Sequence, residues 1–314
     1  MDVLSHSKNC TVCPPAISVV IATYNRRDTL QRTLVELLHQ SQDIKLEIIV
    51  VDNASDDGTA SGLAALFPDV RFIGLTTNSG VEAYNTGAAA AQARYLLVLD
   101  DDACPQRGIL RQTVEYLDRH RDVGAVSLHP RHPSSGVSEW PFLSDGSRVG
   151  AWPLLVAGSV VRREAWAQVG GYEANFFLYV NDTDLALKLL AAGWEVYCDW
   201  SWVVWHDTPS AIERPVRWFE LATRNRVWLA RRHLRGLVKI VGAAAAWAEA
   251  HLRAGLCSRR HAASLRGAWT GMRTNPPRLP AGVRPAERLF WRLVTVRLGM
   301  NRGRILAGGA DASA

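Results

Sequence analysis

The 314-residue sequence contains only five cysteines, and most of them lie far apart along the chain. An odd number of widely spread cysteines does not make a disulfide framework, so the sequence favours a reducing compartment. Cys10 and Cys13 form a single CxxC pair, whereas a structural zinc site of this kind normally needs a second pair of ligands. The lone pair is therefore only a weak indication of zinc.

The sequence also lacks a long uninterrupted apolar run. The most apolar segment near the C-terminus, GLVKIVGAAAAWAEAHL, is interrupted by Lys239 and Glu249 and is shorter than the roughly 20 residues that span a bilayer. The N-terminus has no basic start followed by an apolar stretch, which is the pattern of a secretory signal. We therefore expect a cytoplasmic protein. Packing of the apolar segment against the protein is the default, and peripheral contact with the inner membrane surface is the alternative.

Acidic residues are scarce in the last third of the chain. Residues 1–210 contain 16 Lys and Arg against 25 Asp and Glu, a balance of −9, whereas residues 211–314 contain 20 against 5, a balance of +15. Such a basic region favours an anionic partner, whether phosphate, an acidic membrane surface or nucleic acid. One alternative is thus a nonenzymatic protein that binds an anionic ligand or nucleic acid, with some of the 12 tryptophans stacking on bases. Against nucleic acid, Trp200, Trp202 and Trp205 fit a strand better than an exposed platform.

Apolar runs alternate with amphipathic segments over the first half of the chain. With 48% hydrophobic and 21% charged residues, the composition is that of a globular protein. Strand-like runs occur at 17–22, 46–52, 70–75 and 95–99, and the segments between them have helical spacing of apolar side chains. This alternation predicts an α/β fold with a Rossmann-like, doubly wound, mostly parallel sheet. The arginine-rich segments after residue 211 are predicted to be helical.

Polar residues follow each of these four predicted strands. They are Thr23 and Asn25 after the first, Asp52 after the second, Asn78 after the third, and Asp100, Asp101 and Asp102 after the fourth. In open parallel sheets, ligands bind just beyond the carboxyl ends of the strands. Each polar strand end alone is ordinary, but their coincidence on one rim predicts a binding site.

Three consecutive aspartates end the fourth strand, in YLLVLDDDA. Two carboxylates about 4 Å apart repel by roughly 4 kcal/mol at an effective dielectric near 20. The three groups are therefore either solvated turn residues or compensated by a cation. Carboxylate oxygens are ligands for Mg²⁺ and Mn²⁺, and a diphosphate could complete the coordination. Asp182 and Asp184 begin a later predicted helix, where carboxylates also serve as caps, so the local pattern alone leaves their role open.

Five segments, in order along the chain, carry a resemblance to a known family. They are ISVVIATYNR, IIVVDNASDDGT, NSGVEAYNTGAAAAQARYLLVLDDDA, GSVVRREAWAQVGGYEANFFLYVNDTDLALKLLAAGW and VVWH. Together they resemble a family-2 glycosyltransferase of the GT-A fold, most closely its rhamnosyltransferase-like members, over about residues 16–235. A nucleotidyltransferase is the rival enzyme class, but IATYNRRD lacks the glycine-rich phosphate loop typical of that class.

The resemblance implies a division of the chain into three parts. A flexible leader at 1–15 would precede a GT-A catalytic domain at 16–210, and a basic helical region would occupy 211–314. Within the catalytic domain, the nucleotide-sugar half would be 16–103 and the acceptor half 104–210. The basic region could complete the acceptor pocket, contact an anionic lipid surface or form a homodimer.

The activity implied by the resemblance is inverting, metal-dependent sugar transfer with Mn²⁺ or Mg²⁺ as cofactor. A hexosyl or deoxyhexosyl group would pass from a nucleotide diphosphate sugar, of the UDP or dTDP type, to an acceptor hydroxyl. The acceptor would be a glycan, a lipid-linked saccharide or a small-molecule glycoside.

The resemblance also implies roles for particular residues. Those implied to bind the nucleotide sugar are Thr23, Asn25, Asp52, Asn78, Asn85, Asp100 and Asp101. Asp102 would bind the metal, with His206 as a further ligand, and Asp182 would be the general base. Asn181 stands where the family usually has glutamate, and Lys188 stands where it commonly has arginine, so acceptor contacts could differ while the base is kept. RNRVWL, at 224–229, resembles a tail block whose arginines approach the diphosphate.

Overall fold

The computed structural model describes residues 14–40, 43–138, 155, 158–207, 214–254 and 256–291. Cys10, Cys13 and residues 1–13 of the predicted leader lie outside these described ranges.

One mixed sheet forms the centre of the molecule. Its eight strands are β1 (Ile17–Thr23), β2 (Leu46–Asp52), β3 (Val70–Gly74), β4 (Tyr95–Asp100), β5 (Ala103–Pro105), β6 (Val123–Arg131), β7 (Ser159–Arg162) and β8 (Glu195–His206). Their order across the sheet is β3-β2-β1-β4-β7-β6-β8-β5. The pairs among β1 to β4 are parallel, as is β6 with β8, whereas β7 runs antiparallel to both its neighbours and β5 runs antiparallel to β8.

Helices cover the sheet and extend beyond it. In the described part of the chain they include α1 (Arg27–Gln40), α2 (Thr59–Ala64), α3 (Glu82–Ala90), α4 (Ile109–Arg119), α5 (Arg163–Gln168), α6 (Asn181–Ala191), α7 (Val216–His233), α8 (Val238–Arg253) and α9 (Ser258–Arg273). Residues 287–291 are also helical. None of the helices in these ranges is long and apolar enough to cross a membrane.

The parallel strands are buried on both faces, which explains their nearly continuous apolar sequences. In β1, Val20 faces one hydrophobic cluster, whereas Val19 and Ile21 face the other. Leu30 and Leu34 of α1 are fully buried in the second cluster, as their helical spacing predicts. The predicted α/β class, with a mostly parallel sheet and a helical C-terminal region, is therefore confirmed.

The C-terminal helices share the core of the sheet. Leu229 of α7, the following Leu234, and Phe290 belong to the same hydrophobic cluster as Val20 of β1 and Leu96 of β4. The most extensive helix packing is that of α7 against α9 and α8. The basic region thus packs on the α/β body through apolar side chains.

Candidate functional site

The ends of β1, β2 and β4 meet at one edge of the sheet. Thr23 lies opposite Asp52 in the β1–β2 register, and Ala22 lies opposite Asp100 in the β1–β4 register. Thr23 and Asp52 are both buried, with 2% and 6% of their surface exposed. The parallel topology therefore brings together residues that are separated by tens of positions in the sequence.

Two short loops at this edge are fixed by side-chain amides and hydroxyls. Asp52 Oδ1 accepts hydrogen bonds from the Ser55 backbone N–H at 3.0 Å and from the Ser55 hydroxyl at 2.5 Å. Asn25 has φ of 53°, and its Oδ1 accepts from the Asp56 N–H at 2.9 Å. Asn25 therefore ties the end of β1 to the loop after β2, and the Ser55 contacts orient the Asp52 carboxylate.

Asn78 lies in an exposed turn after β3, where its Oδ1 accepts from the Gly80 N–H at 3.0 Å. The buried Asn53 holds the same turn, since its Nδ2 donates to the Gly80 carbonyl at 2.9 Å. Gly80 has φ of +62°, and a Cβ there would lie 2.1 Å from the Phe177 carbonyl oxygen. Only glycine lets this turn approach the segment before α6 so closely.

The middle aspartate of the three is held by the protein. Asp101 is 5% exposed, and its Oδ2 accepts from the Thr23 hydroxyl at 2.8 Å. The Arg26 guanidinium contacts the carboxylates of both Asp101 and Asp102. Its Nη1 lies 2.9 Å from Asp101 Oδ1, and its Nη2 lies 2.8 Å from Asp102 Oδ2. Thr33 of α1 donates to the Asp101 carbonyl at 2.7 Å. Arg26 therefore supplies part of the positive charge that the aspartate cluster requires.

Asp100, Asp102 and His206 form a group of potential metal ligands. His206 Nε2 lies 3.1 Å from Asp102 Oδ1 and 3.7 Å from Asp100 Oδ2. One ligand atom from each of the three residues lies within 4.8 Å of the others. Two carboxylate oxygens and an imidazole nitrogen are a donor set that suits a divalent cation such as Mn²⁺.

The antiparallel pairing of β5 with β8 explains how a residue so distant in sequence reaches the aspartates. Ala103 pairs with His206, and the Asp207 N–H donates to the Asp102 carbonyl at 2.9 Å. The structure therefore brings the two predicted metal ligands, Asp102 and His206, into direct contact.

The environment separates the pKa values of neighbouring carboxyl groups. Burial raises the pKa of Asp101 to about 6, although Arg26 opposes the shift. Burial acts in the same sense on Asp102, but the hydrogen bond and charge of His206, together with Arg26, lower the pKa of Asp102 to about 2. Of the three aspartates, Asp102 is therefore the one whose pKa is lowered.

Asp182 lies at the start of α6 and faces a tyrosine. The Tyr172 hydroxyl donates to Asp182 Oδ1 at 2.5 Å. Burial raises the pKa of Asp182 to about 7, Tyr172 opposes the shift, and the nearby Asp100 carboxylate adds to it. A carboxylate with a pKa near neutrality can accept a proton from an acceptor hydroxyl at physiological pH.

A pair of tyrosines connects the aspartate cluster with Asp182. The Tyr84 hydroxyl donates to Asp100 Oδ1 at 3.0 Å, and the Tyr84 and Tyr172 rings pack edge to face with centroids 5.6 Å apart. Tyr172 then donates to Asp182, so the two carboxylates lie at the ends of one tyrosine-linked path. Asp100, predicted to bind the nucleotide sugar, and Asp182, the predicted base, are therefore linked through two packed tyrosines.

The backbone before α6 adopts an unusual conformation. Phe177, Tyr179 and Val180 have positive φ values of 61°, 68° and 65°, and such values are costly for residues with a Cβ. Asn225 of α7 compensates, because its Nδ2 lies 3.0, 2.8 and 2.9 Å from the carbonyl oxygens of Phe176, Leu178 and Tyr179, which share its two N–H groups. Helix α7 therefore shapes the segment that aims Asp182.

The structure gives Asn85 a supporting contact. Its amide makes a two-way pair with the Tyr172 backbone, donating to the carbonyl at 2.8 Å and accepting from the N–H at 2.9 Å. Gly171 must be small here, since a Cβ would lie 2.3 Å from Asn85 Oδ1. The buried Lys188 donates to the Gly171 carbonyl at 2.5 Å. Asn85 and Lys188 thus fix the turn that carries Tyr172.

Behind Asp182, α6 is joined to α7 by buried charges. Asp184 is fully buried, and its oxygens lie 2.8 Å from Arg232 Nη1 and 3.3 Å from Lys188 Nζ. Arg232 also lies 3.6 Å from Glu173 and donates to the Arg278 carbonyl at 3.1 Å. Of the two carboxylates at the start of α6, Asp184 is therefore structural, whereas Asp182 faces Tyr172 at the site.

Residue-level sequence reasoning missed Arg26, Tyr84 and Tyr172. All three occur in the quoted motifs, TYNR, EAYN and GGYE. The resemblance implied that the arginines of RNRVWL approach the diphosphate. In the structure these arginines contact the protein: Arg224 donates to the Phe176 carbonyl at 2.9 Å, and Arg226 lies 3.9 Å from Glu249.

Comparison with known proteins identifies related sequences. Residues 18–167 match the family model described as Glycosyl transferase family 2. Succinoglycan biosynthesis protein ExoO of Rhizobium meliloti (strain 1021) is 38% identical over 106 residues, which cover 33% of this chain and 30% of that protein. The N-acetylglucosaminyl-diphospho-decaprenol L-rhamnosyltransferase of Mycobacterium tuberculosis (strain CDC 1551 / Oshkosh) is 26% identical over 266 residues, with coverage of 69% and 85%. The match to ExoO thus spans less than a third of that protein's length.

Among solved structures, the chain is similar to mannosyltransferase PcManGT from Pyrobaculum calidifontis in complex with GDP-Man and Mn²⁺. The TM-score is 0.55 at 22% sequence identity, and the alignment covers 91% of this chain and 87% of that one. At this identity the likeness concerns the fold, and it confirms the GT-A fold expected from the sequence.

Proposed function

We propose that this chain, whose residues 18–167 match the family model described as Glycosyl transferase family 2, is an inverting, metal-dependent enzyme of that family. It transfers a sugar from a nucleotide diphosphate sugar to an acceptor hydroxyl. The observation that carries the proposal is the convergence of Asp100, Asp102 and His206 with Asp182 at one edge of the sheet.

The nucleotide end of the donor is proposed to lie over the ends of β1 and β2. There Thr23, Asn25 and Asp52 line the rim, with Asp52 accepting from an N–H of the base. Asn78, in the exposed turn after β3, is proposed to contact the same nucleotide. Asn85 supports the pocket indirectly, because both ends of its amide contact the Tyr172 backbone.

Asp100, Asp102 and His206 would hold a divalent cation, Mn²⁺ or Mg²⁺. When bound, such a cation neutralises charge on the diphosphate leaving group. The neighbouring Arg26 keeps Oδ2 of Asp102 engaged at 2.8 Å, while Oδ1 faces His206 at 3.1 Å. The two oxygens of Asp102 thus have separate partners, and Oδ1 is the one directed into the ligand group. Asp101 supports this arrangement from within the protein.

Asp182 is proposed to remove the proton of the acceptor hydroxyl as that oxygen attacks the anomeric carbon. A single displacement of this kind inverts the anomeric configuration. The pKa of Asp182, raised by burial to about 7, suits proton acceptance near neutral pH. Tyr172 donates to Oδ1 at 2.5 Å and so fixes the orientation of the carboxylate.

The names of the relatives support an acceptor that is itself a saccharide. One relative is named for succinoglycan biosynthesis, and another for L-rhamnosyl transfer to N-acetylglucosaminyl-diphospho-decaprenol. We propose a glycan or lipid-linked saccharide acceptor ahead of a small-molecule glycoside, with a UDP- or dTDP-type donor.

The test is the release of nucleotide diphosphate from a panel of UDP-, dTDP- and GDP-sugars, with Mn²⁺, with Mg²⁺ and with EDTA. We expect slow hydrolysis of one donor class without acceptor, its loss in EDTA, and faster release when a saccharide acceptor is added. NMR of the product should show an anomeric configuration opposite to that of the donor. Retention of configuration, or full activity in EDTA, would contradict the proposal.

The burial of four tryptophans weighs against the nonenzymatic alternative, although Trp269 of α9 is 54% exposed. Trp200, Trp202, Trp218 and Trp228 are each no more than 8% exposed, so these rings cannot serve as a platform for bases.

A further inference from the structure

Exposed large apolar side chains concentrate in the C-terminal helices. Thirteen such residues occur in the described part of the chain, and eight of them lie between residues 237 and 272. Five are on or beside α8: Leu237, Ile240, Val241, Leu252 and Leu256, which are 79%, 65%, 58%, 82% and 105% exposed. Three are on α9: Leu265, Trp269 and Met272, at 51%, 54% and 52%. Such a concentration of exposed apolar side chains favours an interaction site.

The side chains lie in a pattern along α8. Leu237, Val241, Ala245, Ala248 and Leu252 recur at helical spacing and are all exposed. Beside this stripe is an open groove of about 560 Å³, lined by Val227, Ile240, Ala243, Trp247, Leu265 and Trp269, among others. We call the stripe and the groove together the α8–α9 face.

Basic residues predominate in the sequence of α8 and α9, although Arg266 is paired with Glu220 of α7 at 3.3 Å. Residues 235–273 contain seven Lys and Arg (Arg235, Lys239, Arg253, Arg259, Arg260, Arg266 and Arg273) and one acidic residue, Glu249. Glu249 is 21% exposed in its side chain and lies 3.9 Å from Arg226. The Arg273 guanidinium lies 4.1 Å from the centre of the exposed Trp269 ring. An exposed tryptophan beside arginine is an amphipathic pair suited to a lipid–water interface.

We propose that the α8–α9 face docks the enzyme on the surface of an anionic lipid bilayer. A basic helix with an exposed apolar stripe binds such a surface by burying the stripe among the lipid chains and placing Lys and Arg near the headgroups. In the proposed arrangement α8 would lie along the membrane surface, with its exposed apolar stripe toward the lipid. A second copy of the chain fits less well, because a symmetric contact would bring two basic faces together.

The α8–α9 face is separated from the site by a single helix. On α7, Val227 and Arg231 line the groove, whereas Asn225 and Arg232 contact the segment before α6 and Asp184. Docking through α8 and α9 would therefore leave the nucleotide rim, on the sheet side of α7, outside the bilayer contact.

The test is flotation of the full chain with vesicles of phosphatidylcholine alone and of phosphatidylcholine with 30% phosphatidylglycerol. We expect binding to the anionic vesicles only, weakened by 0.5 M NaCl, with a blue shift of tryptophan emission. The double variant Ile240→Glu, Val241→Glu should lower the partition coefficient by at least about tenfold, since both side chains are exposed and would bury in lipid. Ile240→Ser is a milder second variant in case the double variant fails to fold.

Leu66→Glu is the matched control, because Leu66 is an exposed leucine, at 57%, beside α2. It should bind vesicles as the unaltered chain does. Equal binding by the Ile240 variants and Leu66→Glu would overturn the proposal, as would absence of vesicle binding or a dimer in solution that Ile240→Glu dissociates. Donor hydrolysis in the absence of vesicles should be unchanged in the Ile240 variants. The docking proposal and the proposed transfer reaction can therefore fail separately.

Discussion

At the residue scale, the contacts of Arg26 explain how three consecutive aspartates can end a buried strand. Its guanidinium spans Asp101 and Asp102 at 2.9 and 2.8 Å, and a planar fork is suited to such a bridge. Asp101 is then neutralised within the protein, whereas Asp100, with a side chain 48% exposed, points toward solvent and His206. The cluster is thus divided between one carboxylate that is held by the protein and two that are proposed to bind the cation.

Replacement of Arg26 by alanine should weaken both the fold and the ligand group. Asp101 would lose its cationic partner while it remains buried. We expect the free energy of unfolding to fall by about 1–2 kcal/mol. This is less than the cost of breaking a fully buried ion pair, because Arg26 is half exposed. Urea unfolding at pH 7.5 measures this loss. Arg26→Lys keeps the charge without the fork and should be intermediate. An Arg26→Ala chain as stable as the unaltered one would show that the bridge contributes nothing.

The raised pKa of Asp182 predicts the direction of a pH dependence. A general base works in its ionised form, so activity should be lost as the pH falls through the pKa of about 7. A divalent cation beside Asp100 would cancel part of the negative charge that raises this pKa, so the midpoint in the loaded enzyme should lie at or below 7. A profile of kcat/KM between pH 5 and 9 shows this limb.

Tyr172→Phe should move the same limb to higher pH. The hydroxyl stabilises the ionised carboxylate of Asp182, and its removal favours the protonated form. We expect kcat/KM to fall by about threefold to tenfold at pH 6.5 and to recover at pH 8.5. Tyr84→Phe is the matched control, because its hydroxyl contacts Asp100 instead, and it should mainly raise the Mn²⁺ concentration required. A loss that is uniform across the pH range would contradict the role assigned to Tyr172.

The sequence indicated the candidate site residues more readily than the residues that contact and support them. Asp102, His206 and Asp182 are recognisable because motifs mark them, and two of the three are in direct contact at 3.1 Å. The contact of Arg26 with Asp102 joins residues 76 positions apart, and that of Tyr172 with Asp182 depends on a turn after α5. Such contacts follow from tertiary packing, and no local pattern encodes them.

At the element scale, the start of α6 is held from outside by α7. Three residues before α6 have positive φ, and the side-chain amide of Asn225 lies within hydrogen-bonding distance of three carbonyls of the same segment. Strain of this kind persists only where the surroundings determine the conformation. Helix α7 therefore helps to position Asp182, through the contacts of Asn225 with the segment before α6.

Asn225→Ala should lower kcat while leaving donor affinity nearly unchanged. The segment before α6 would relax and turn Asp182 away, whereas the nucleotide rim on β1 and β2 would keep its contacts. We also expect a loss of about 1–3 kcal/mol in stability from the unsatisfied carbonyls. Steady-state kinetics and calorimetry with donor and Mn²⁺ separate these effects.

Thr223→Ala provides the control on the same helix. Thr223 is buried, and its hydroxyl donates within α7 to the Phe219 carbonyl at 2.5 Å. Its loss should reduce stability without changing kcat. If Asn225→Ala loses donor affinity as strongly as turnover, α7 does not act on Asp182 alone.

The elements themselves were predictable to different degrees. The four parallel strands and the helices between them follow from apolar runs and helical spacing. For example, Val19 and Ile21 of β1 lie in one hydrophobic cluster with Leu30 and Leu34 of α1. The short strands β5 and β7 were not predicted, since three or four residues carry too little periodicity. Yet β5 is the strand that pairs with β8 and places His206 at Asp102.

At the scale of the whole molecule, the basic helices and the α/β body share buried groups. Leu229, Leu234 and Phe290 lie in the sheet's hydrophobic cluster, and Arg232 neutralises the fully buried Asp184. The boundary predicted near residue 210 therefore divides the sequence, but the residues on its two sides share one hydrophobic core.

Equilibrium unfolding of the full chain should therefore show one cooperative transition. Tryptophan emission and far-UV circular dichroism should give coincident curves in urea. Arg232→Met should move the whole transition to lower urea. The free energy of unfolding should fall by about 3–5 kcal/mol, because Asp184 would remain buried without this partner. Two separate transitions would instead show that residues 216–291 fold as an independent unit.

The charge distribution was also visible in the sequence, but its location on the surface was not. The excess of arginine after residue 211 indicates an anionic partner. In the structure, Arg224 and Arg232 bind groups of the protein itself, the Phe176 carbonyl and the Asp184 carboxylate. Leu237, Ile240 and Trp269 are exposed on the basic C-terminal helices.

The most direct test of the account is the single replacement Asp182→Asn, which keeps the size of the side chain and removes the base. Transfer to a saccharide acceptor should fall by about 10²–10⁴-fold, while calorimetric binding of the donor with Mn²⁺ should change little. Near-normal turnover by Asp182→Asn, with donor binding intact, would contradict the assignment of Asp182 as the general base.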